Sequence, residues 1–481
     1  MDRALESHPG ELSGAVDDFM GTCDYGGIDV SGVVKGFKQW LKANENDAAW
    51  ASTVAEAFED AGANGSEVGA ISNGALQASL RQAGVSPTRE TLDIDPPRAW
   101  GGQPTTGFVN DPVNSATGNF LEPENDLPCV GACELLSIRR MYNSLNPGRG
   151  IFGAGWSSSL EVTLRLGDDG AHFVQDDGRE VFFPQGVDHE RRAVGENYWL
   201  TRAKKPVLER LGLPFEHAVK AHWVVKDNTG GWWAFTASGT WLGAGRGPGN
   251  STWVTRGDHD EVTRISHERG KWVEVDYTDG LVSRLRASDG RVVDYLYEGG
   301  DQLRFVLDST GKRTYEWNDD GLIYKVIDVN GVVECINTYD AHRRVVQQVS
   351  EFGRRIRFSY LRGRVTEVAD HDGTYANTWI ADQLGRVVAI IDSNGARQSM
   401  SYDPWGNLVM VRDRENQLTT HSYDDRGRRI TTRTTEGGHI TFGYDDYDRI
   451  TTVVTSSGGM ITYGYADDVE RNPSTVKDPG G

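Results

Sequence analysis

Cysteine and histidine are the residues of this chain best suited to redox or metal chemistry, and they are few. The sequence has four cysteines and 11 histidines among 481 residues. Cys129 and Cys133 lie four apart, where they could form a small disulfide, remain free thiols or supply half of a metal site. No second pair at metal-ligand spacing accompanies them, since His217 and His222 are isolated. We therefore predict no metal, and both the disulfide and the free thiols stay open.

Three loops carry fragments of known ligand motifs, and each lacks what the chemistry requires. The loop at 60–66 has a glycine placed as in a calcium-binding EF-hand, but Gly62 and Ile71 stand where oxygen ligands are needed. The glycines of 243–249 have the wrong spacing for a phosphate loop, and the Arg-Gly-Asp at 256–258 is too short to be informative. No nucleophile or metalloprotease motif occurs either. We predict a non-enzymatic protein with no catalytic, cofactor-binding or metal-binding residues.

A group of tryptophans offers the one surface that could bind a ligand by stacking. Its members are Trp223, Trp232, Trp233, Trp241 and Trp253. Aromatic side chains on a β-surface can stack on sugar rings, but they more often pack the sheet itself. Packing is the favoured interpretation, and a carbohydrate or cell-surface binding module is the alternative.

Charge and hydropathy exclude two classes of partner. The net charge is −20, and no basic run is strong enough for a nucleic-acid binder. No window approaches the apolar length of a membrane span, and the first 20 residues lack the basic and apolar regions of a signal peptide. We predict no nucleic-acid partner, no membrane span, and export by a non-classical route or attachment at the cell surface after synthesis in the cytoplasm.

The pattern of apolar residues changes along the chain and divides it into segments. Helical spacing occurs only near the beginning, as in Trp50, Val54 and Phe58. Later stretches alternate apolar and polar residues between Asp-Gly turns, which is typical of β-hairpins. The predicted segments are a small helical module (1–90), a Pro/Gly linker (91–107), a first β segment (108–185), irregular hairpins (186–270) and a repeat region (271–481).

The repeat region is identified by aromatic residues that recur every 19 to 23 positions. They are Tyr277, Tyr297, Trp317, Tyr339, Tyr360, Trp379, Tyr402, Tyr423, Tyr444 and Tyr465. A second series of turns, such as Asp328-Val-Asn-Gly331, lies between them. Each unit therefore has two turns and two strands and cannot bury its apolar face alone. The sequence predicts a continuous antiparallel sheet that native twist would curl.

The units Tyr402-Asp-Pro-Trp-Gly and Tyr423-Asp-Asp-Arg-Gly-Arg resemble the tyrosine–aspartate (YD) repeats of the Rhs family. The segments beginning at Asp111, Leu136 and Phe152 are similar to those that open the Rhs core. The fold class expected is mainly β: a small α-helical module followed by a curled antiparallel sheet of YD repeats, as in a partial Rhs shell. More weakly, the helical module resembles the N-terminal region of YD-repeat proteins thought to leave by type VII secretion.

The resemblance implies a structural carrier of a secreted polymorphic toxin used in competition between bacteria. In that family a hollow β-shell encloses a C-terminal toxin, and self-cleavage occurs near the end of the repeats. Neither the cleavage segment nor a toxin domain is recognisable here, so we expect the cargo or a continuation chain to be the partner, together with secretion machinery such as that of type VII. The last residues, Asp478 to Gly481, match the second turn of a repeat, and we expect an unpaired sheet edge near Met460 to Tyr465.

Overall fold

Short strands separated by tight turns make up the chain after residue 107. The computed structural model describes residues 49, 52, 53, 56, 57, 82, 83 and 100–478, except 130, 187–189, 205–212, 247–248, 362, 468–469 and 471. The chain divides into two compact units, Met1–Leu92 and Asp93–Gly481. In the first unit, residues 49, 52, 53, 56, 57 and 82 are helical, and the remainder of the predicted helical module lies outside the described residues.

The second unit begins with residues 100–184, which we call the opening segment. It contains a 3₁₀ helix at Gly131–Leu136. Its strands are β1 (Phe108–Val109), β2 (Val113–Asn114), β3 (Leu121–Leu127), β4 (Ile138–Asn143), β5 (Arg149–Gly150), β6 (Gly153–Ala154), β7 (Trp156–Ser158), β8 (Thr163–Leu166), β9 (Gly170–Val174) and β10 (Glu180–Pro184). They form small antiparallel sheets with the orders β1-β2, β3-β4-β7, β5-β6 and β10-β9-β8.

One sheet of 27 strands follows, and each strand pairs antiparallel with the next one along the chain. A short helix, α1 (Phe215–Ala218), lies between its second and third strands. The strands are β11 (Glu190–Arg192), β12 (Tyr198–Arg202), β13 (Trp223–Asp227), β14 (Gly231–Phe235), β15 (Trp241–Arg246), β16 (Ser251–Arg256), β17 (Val262–His267), β18 (Trp272–Thr278), β19 (Leu281–Ala287), β20 (Val292–Glu298), β21 (Gln302–Leu307), β22 (Lys312–Trp317), β23 (Ile323–Ile327), β24 (Val333–Tyr339), β25 (Val345–Ser350), β26 (Arg355–Leu361), β27 (Val365–Asp370), β28 (Asn377–Ala381), β29 (Val387–Ile391), β30 (Arg397–Tyr402), β31 (Leu408–Arg412), β32 (Leu418–Tyr423), β33 (Arg429–Thr434), β34 (His439–Tyr444), β35 (Ile450–Thr455), β36 (Met460–Gly464) and β37 (Thr475–Lys477).

The mainly β architecture and the continuous antiparallel sheet predicted from the repeats are confirmed. The expected edge is wrong by one strand, because β36 pairs with β37 and the described sheet ends there. β37 was not predicted from the sequence, because it is only three residues long and each of its residues is exposed. No helix among the described residues is long and apolar enough to span a membrane.

A β-bulge recurs at the same place in most repeats. The strand register shifts immediately before Tyr277, Tyr297, Trp317, Tyr339, Ala381, Tyr402, Tyr423 and Tyr444. Each bulge places two residues opposite one and increases the local right-handed twist. The repeated bulge is therefore a local source of the curl that the sequence predicts for this sheet.

The main core lies between the opening segment and the sheet. Phe120, Tyr142, Phe152 and Trp156 of the opening segment are each at most 1% exposed. They share one apolar cluster with sheet residues that run from Leu200 to Val368. The opening segment thus supplies the apolar surface that individual repeats lack, as expected of units that cannot bury their own faces.

Candidate functional site

The recurring tyrosines form a hydrogen-bonded ladder along one face of the sheet, which we call the ladder face. Each ladder side chain donates to a backbone carbonyl 14 to 16 residues earlier, at distances of 2.5 to 3.0 Å. The donors are Tyr277, Tyr297, Trp317, Tyr339, Tyr360, Tyr402, Tyr423, Tyr444 and Tyr465. Each bond joins one repeat to the repeat before it, so the ladder fixes the register at these nine positions.

In five repeats an aspartate follows the ladder position and organises the turn: Asp340, Asp382, Asp403, Asp424 and Asp445. In the repeat beginning at Tyr423, Asp424 Oδ1 accepts the backbone N–H groups of Arg426 and Arg428. Its Oδ2 accepts Arg428 Nε at 2.8 Å, and the Arg428 guanidinium lies 4.9 Å from the ring centroid of Tyr444 in the next repeat. Burial alone would raise the pKa of Asp424, but the hydrogen bonds from Arg428 outweigh it and the pKa is lowered. We call this Asp–Arg–Tyr arrangement the staple.

The register corrects one predicted ladder position. Trp379 was expected in the series, but Ala381 is the residue that pairs with Val387 after the bulge, as Tyr402 pairs with Leu408. The uneven spacing around Trp379 in the sequence has this origin, since Ala381 lies 21 residues from both Tyr360 and Tyr402. A small residue is accommodated there because the opening segment reaches this part of the sheet: Val387 N donates to Thr105 O at 3.0 Å.

Polar side chains bind the opening segment to the ladder face. Gln348, fully buried on β25, donates to Asp111 O at 2.7 Å and accepts from Asn110 Nδ2 at 2.6 Å. Tyr142, also fully buried, accepts the backbone N–H of Ile323 at 3.1 Å. These contacts satisfy polar groups that burial would otherwise leave unpaired, and they fix where the segment docks.

A buried charged seam lies at the centre of this contact. Its members are Glu122, Glu124 and Asp126 of β3, Arg140 of β4, Arg313 and Tyr315 of β22, and Glu334 of β24. The Arg140 guanidinium donates to both oxygens of Asp126, at 2.6 and 3.0 Å, and to the Tyr315 hydroxyl at 2.8 Å. It also lies 4.1 Å from the ring centroid of Trp156. A fully buried guanidinium is tolerated only when carboxylate and aromatic partners compensate its charge in this way.

The second guanidinium of the seam joins β3 to the sheet. Arg313 donates to Glu122 Oε1 at 2.6 Å and to Glu334 Oε2 at 2.5 Å, and it also pairs with Glu124. Four carboxylates therefore share two guanidinium groups in a space with little water. Ionising all four at once is unfavourable, because excess charge of one sign is costly away from solvent.

The carboxyl pKa values follow from this imbalance. Burial raises the pKa of Glu122 from 4.5 to about 8, the Glu124 carboxylate acts in the same direction, and Arg313 opposes both. Burial also raises the pKa of Glu124, against the charges of Arg140 and Arg313. Burial therefore favours a proton on the Glu122–Glu124 pair at neutral pH, and the raised pKa of Glu122 brings that group into the titration range.

Beyond β29 most of the ladder face has no opening segment on it, except at a cavity near Tyr402 and Tyr423 whose wall includes Thr105. Ala389 is the last apolar side chain in the described sequence that is buried, and the eight strands β30–β37 follow it. By the pairing register, partly exposed apolar residues on the ladder face of these strands are Met400, Val411, Ile440, Phe442, Ile450, Val453, Ile461 and Tyr463. This uncovered apolar surface is the candidate functional site.

The tryptophans singled out in the sequence do not form an exposed platform. Trp232 and Trp241 are 4% and 5% exposed, as the packing interpretation predicts. Trp223 and Trp233 are partly buried and pack against the main core. A sugar could not stack on the two buried rings without opening the sheet.

The structure gives the contacts of the cysteines and histidines that were considered as metal ligands. Cys129 and Cys133 are free thiols, and Cys129 Sγ accepts a 3.5 Å contact from Arg291 Nη2. His217 bonds to Val254 O at 2.9 Å and His222 lies against Arg202, so the two histidines have separate partners. Within the described ranges, no group of three or more His, Cys, Asp or Glu side chains could hold a metal ion.

Sequence reasoning missed the charged seam. A usable signal was present, because Glu122, Glu124 and Asp126 alternate along one strand and so share a face. Three carboxylates on a strand that must be buried require cationic partners. Their partner Arg313 lies 191 residues from Glu122, and no local pattern identifies it.

Family models match two parts of this chain. A domain of unknown function (DUF6531) matches residues 110–183, which is nearly the opening segment. The RHS Repeat model matches residues 382–417 and 402–440, within the repeat sheet. The matched ranges thus include parts of both partners in the docking contact.

Curated relatives are similar over a longer stretch but are much larger proteins. The tRNA(Glu)-specific nuclease WapA of Bacillus subtilis subsp. natto (strain BEST195) is 23% identical over 326 residues, which is 60% of this chain and 13% of the relative. The double-stranded DNA deaminase toxin A of Burkholderia cenocepacia (strain H111) is 24% identical over 296 residues, 56% of this chain and 19% of that protein. This chain therefore spans less than a fifth of these relatives.

Among solved structures, the TcdB2-TccC3-Cdc42 crystal structure covers 71% of this chain at 12% identity, and the match spans 20% of that chain. The TM-score is 0.37, too low for this likeness to bear on the fold.

Proposed function

Because this chain belongs to the Rhs/YD-repeat family, we propose that it is the front part of a β-repeat shell that carries a toxin. The observation behind the proposal is the uncovered ladder face of β30–β37. In the earlier strands the same face binds a polypeptide, namely the opening segment. A face that continues with the same register and similar apolar residues is suited to bind further polypeptide.

The physical argument rests on what the exposed face would gain by being covered. Phe442, Val453 and Ile461 are adjacent across β34, β35 and β36 and are only partly buried. Covering apolar surface yields about 25 cal/mol for each Å² removed from water, so an enclosed chain would be held without any specific motif. Binding of this kind suits a carrier, since it would accept cargo of varied sequence.

The named activities of the relatives fit a division between carrier and toxin. The relatives are named as tRNA nucleases and as a double-stranded DNA deaminase toxin. Relatives with these different activities are similar in sequence to the same repeat-containing chain. We assign to this chain the carrier role, without catalysis, and assign the toxic activity to a separate cargo or continuation chain.

The remaining partners and the location follow from the carrier role. A carrier of a toxin that acts on other cells would be secreted or held at the cell surface. Secretion machinery such as that of type VII is then a partner. The glycan-binding alternative is not favoured, because Trp232 and Trp241 are buried.

Site-specific photo-crosslinking in producing cells tests the carrier role. A photo-reactive residue at Phe442 reports on the ladder face, and one at Thr441, the next residue in the same strand, reports on the opposite face. We expect the Phe442 position to crosslink to a polypeptide segment outside residues 1–481, whether in the same chain or another, and the Thr441 position not to do so. Equal crosslinking from both faces, or none from Phe442, would contradict the proposal.

A further inference from the structure

Of the five repeats with an aspartate after the ladder position, four form the staple and one does not, and the exception borders a cavity. Arg344, Arg386, Arg428 and Arg449 each bond to the aspartate four residues earlier, with Nε–Oδ2 distances of 2.7 to 2.8 Å. Each also lies over the ladder tyrosine of the next repeat, at 4.2 to 5.0 Å from the ring centroid. In the repeat beginning at Tyr402 the equivalent residue is Asn407.

Asn407 makes only one of the two interactions that the arginine makes in the four staples. Its Nδ2 donates to Asp403 Oδ2 at 2.7 Å, which preserves the bond to the turn aspartate. Its side chain is too short to reach the next ladder residue, and among the described residues no cation lies over the ring of Tyr423. This repeat therefore keeps the acceptor and the aromatic ring of a staple without its guanidinium.

The space beside Asn407 is bordered by residues next to β12 and β13, the second and third strands of the 27-stranded sheet. Asn197 Nδ2 donates to Asn407 Oδ1 at 2.6 Å, and Asn228 Nδ2 donates to Gly427 O at 3.1 Å. These contacts leave a cavity of about 460 Å³, within the usual range for small-ligand sites. Aromatic residues on its wall are Tyr198, Tyr402, Trp405 and Tyr423.

The charges around the cavity favour a cation. Glu196 and Asp227 lie on its wall, and within the described part of the chain Asp227 has no ion-pair partner. Arg179 is also on the wall, but its guanidinium is bound by Asp177 and Glu196. With Arg192 beside Trp405, three carboxylates (Asp177, Glu196 and Asp227) stand against two guanidinium groups, and the local charge is negative.

A second arginine lies beside the cavity and does not supply the missing contact. The Arg192 guanidinium is 3.8 Å from the ring centroid of Trp405 and donates to Asn197 Oδ1 at 2.8 Å. It stacks on Trp405 and not on Tyr423. The aromatic face and the carboxylates of the cavity remain suited to another planar cation.

We propose that the cavity between Asn407, Tyr423, Glu196 and Asp227 binds a guanidinium group from outside the chain. The chemical class follows from the protein's own staples, in which a guanidinium pairs with a carboxylate and lies over a tyrosine ring. A planar, delocalised cation suits both interactions better than an ammonium does. The source is either a small guanidinium compound or an arginine side chain of a polypeptide. This inference does not depend on the carrier role.

Ligand-observed NMR and calorimetric titration of the full chain test the proposal. The probes are free L-arginine and the blocked tripeptide acetyl-Gly-Arg-Gly-amide, which distinguish the two sources. The matched control is the same peptide with citrulline, which keeps the shape and loses the charge. We expect arginine probes to bind at millimolar concentration or below, with citrulline at least about tenfold weaker.

Two variants locate the binding. Asn407→Arg fills the cavity with the chain's own guanidinium and is expected to abolish binding, whereas Asn394→Arg, the same change at an exposed turn, is expected to leave it unchanged. Asp227→Asn is expected to weaken binding about threefold to tenfold, which keeps the test valid if Asn407→Arg does not fold. Citrulline binding as tight as arginine, undiminished binding by folded Asn407→Arg and by Asp227→Asn, or no arginine binding at millimolar concentration would each overturn the proposal.

Discussion

Replacing Glu122 by glutamine is expected to remove much of the pH dependence that the charged seam gives to folding, with Glu124 left to supply the rest. Glutamine has the shape of protonated glutamic acid and cannot ionise. Burial raises the pKa of Glu122 to about 8 in the folded protein, against 4.5 for an ordinary glutamate. The folded state therefore keeps a proton that the unfolded state releases. The resulting stability is complete below pH 4.5 and is lost as pH rises through about 8.

The size of the effect follows from the two pKa values. Their difference, about 8 minus 4.5, is about 3.5 units, and at about 1.4 kcal/mol per unit the ceiling is about 5 kcal/mol. Rearrangement of Arg313 around the ionised carboxylate reduces this ceiling, and we expect wild type to lose roughly 2–4 kcal/mol from this group between pH 5 and 8. The Glu122→Gln variant is expected to resemble wild type at pH 5 and to exceed its stability at pH 8.

Urea unfolding followed by tryptophan fluorescence measures the free energy of unfolding of both proteins at each pH. Trp156 is a suitable reporter, since it lies against Arg140 in the seam. The matched control is Glu334→Gln, which removes a more exposed carboxylate from the same Arg313 and leaves Glu122 to titrate. Its profile is expected to fall with pH as the wild-type profile does. If the profiles of wild type and Glu122→Gln run parallel from pH 5 to 8, the assignment of the proton to Glu122 is wrong.

Two further predictions concern how the opening segment docks. Tyr142→Phe leaves the buried N–H of Ile323 without its acceptor and should lower the free energy of unfolding by about 1–3 kcal/mol, measured by urea titration; no change would refute the contact. Gly107→Ala places a methyl group 2.6 Å from Trp379 Cζ3 and should cost about 1–3 kcal/mol in the same assay, while Gly102→Ala, with no atom nearer than 4.0 Å, should cost less than half as much.

Local chemistry explains what could be predicted from the sequence. In Tyr423-Asp-Asp-Arg-Gly-Arg428 the tyrosine, the turn aspartate and the arginine act within one repeat and its neighbours. The repeat spacing is therefore sufficient to predict the strand order and the antiparallel pairing. The position of Trp379 was misassigned because an aromatic residue stands two places before the small Ala381, and only the bulge in the register distinguishes them.

Contacts between distant parts of the chain explain what could not be predicted. The seam joins Glu122 to Arg313 across 191 residues, and the cavity depends on Asn197 meeting Asn407 across 210. Nothing in the local pattern of either partner identifies the other. The uncovered face of β30–β37 has the same origin, because its exposure depends on how far the opening segment extends over the sheet.

The carrier role is tested most directly by native mass spectrometry of the protein recovered from its producing cells. We expect the repeat strands to be found in a species heavier than the 53.0 kDa of this chain, with polypeptide accounting for the added mass. We also expect Phe442 to be protected there from oxidative labelling. A stable species of 53.0 kDa in which Phe442 is freely labelled would contradict the claim that the ladder face encloses cargo.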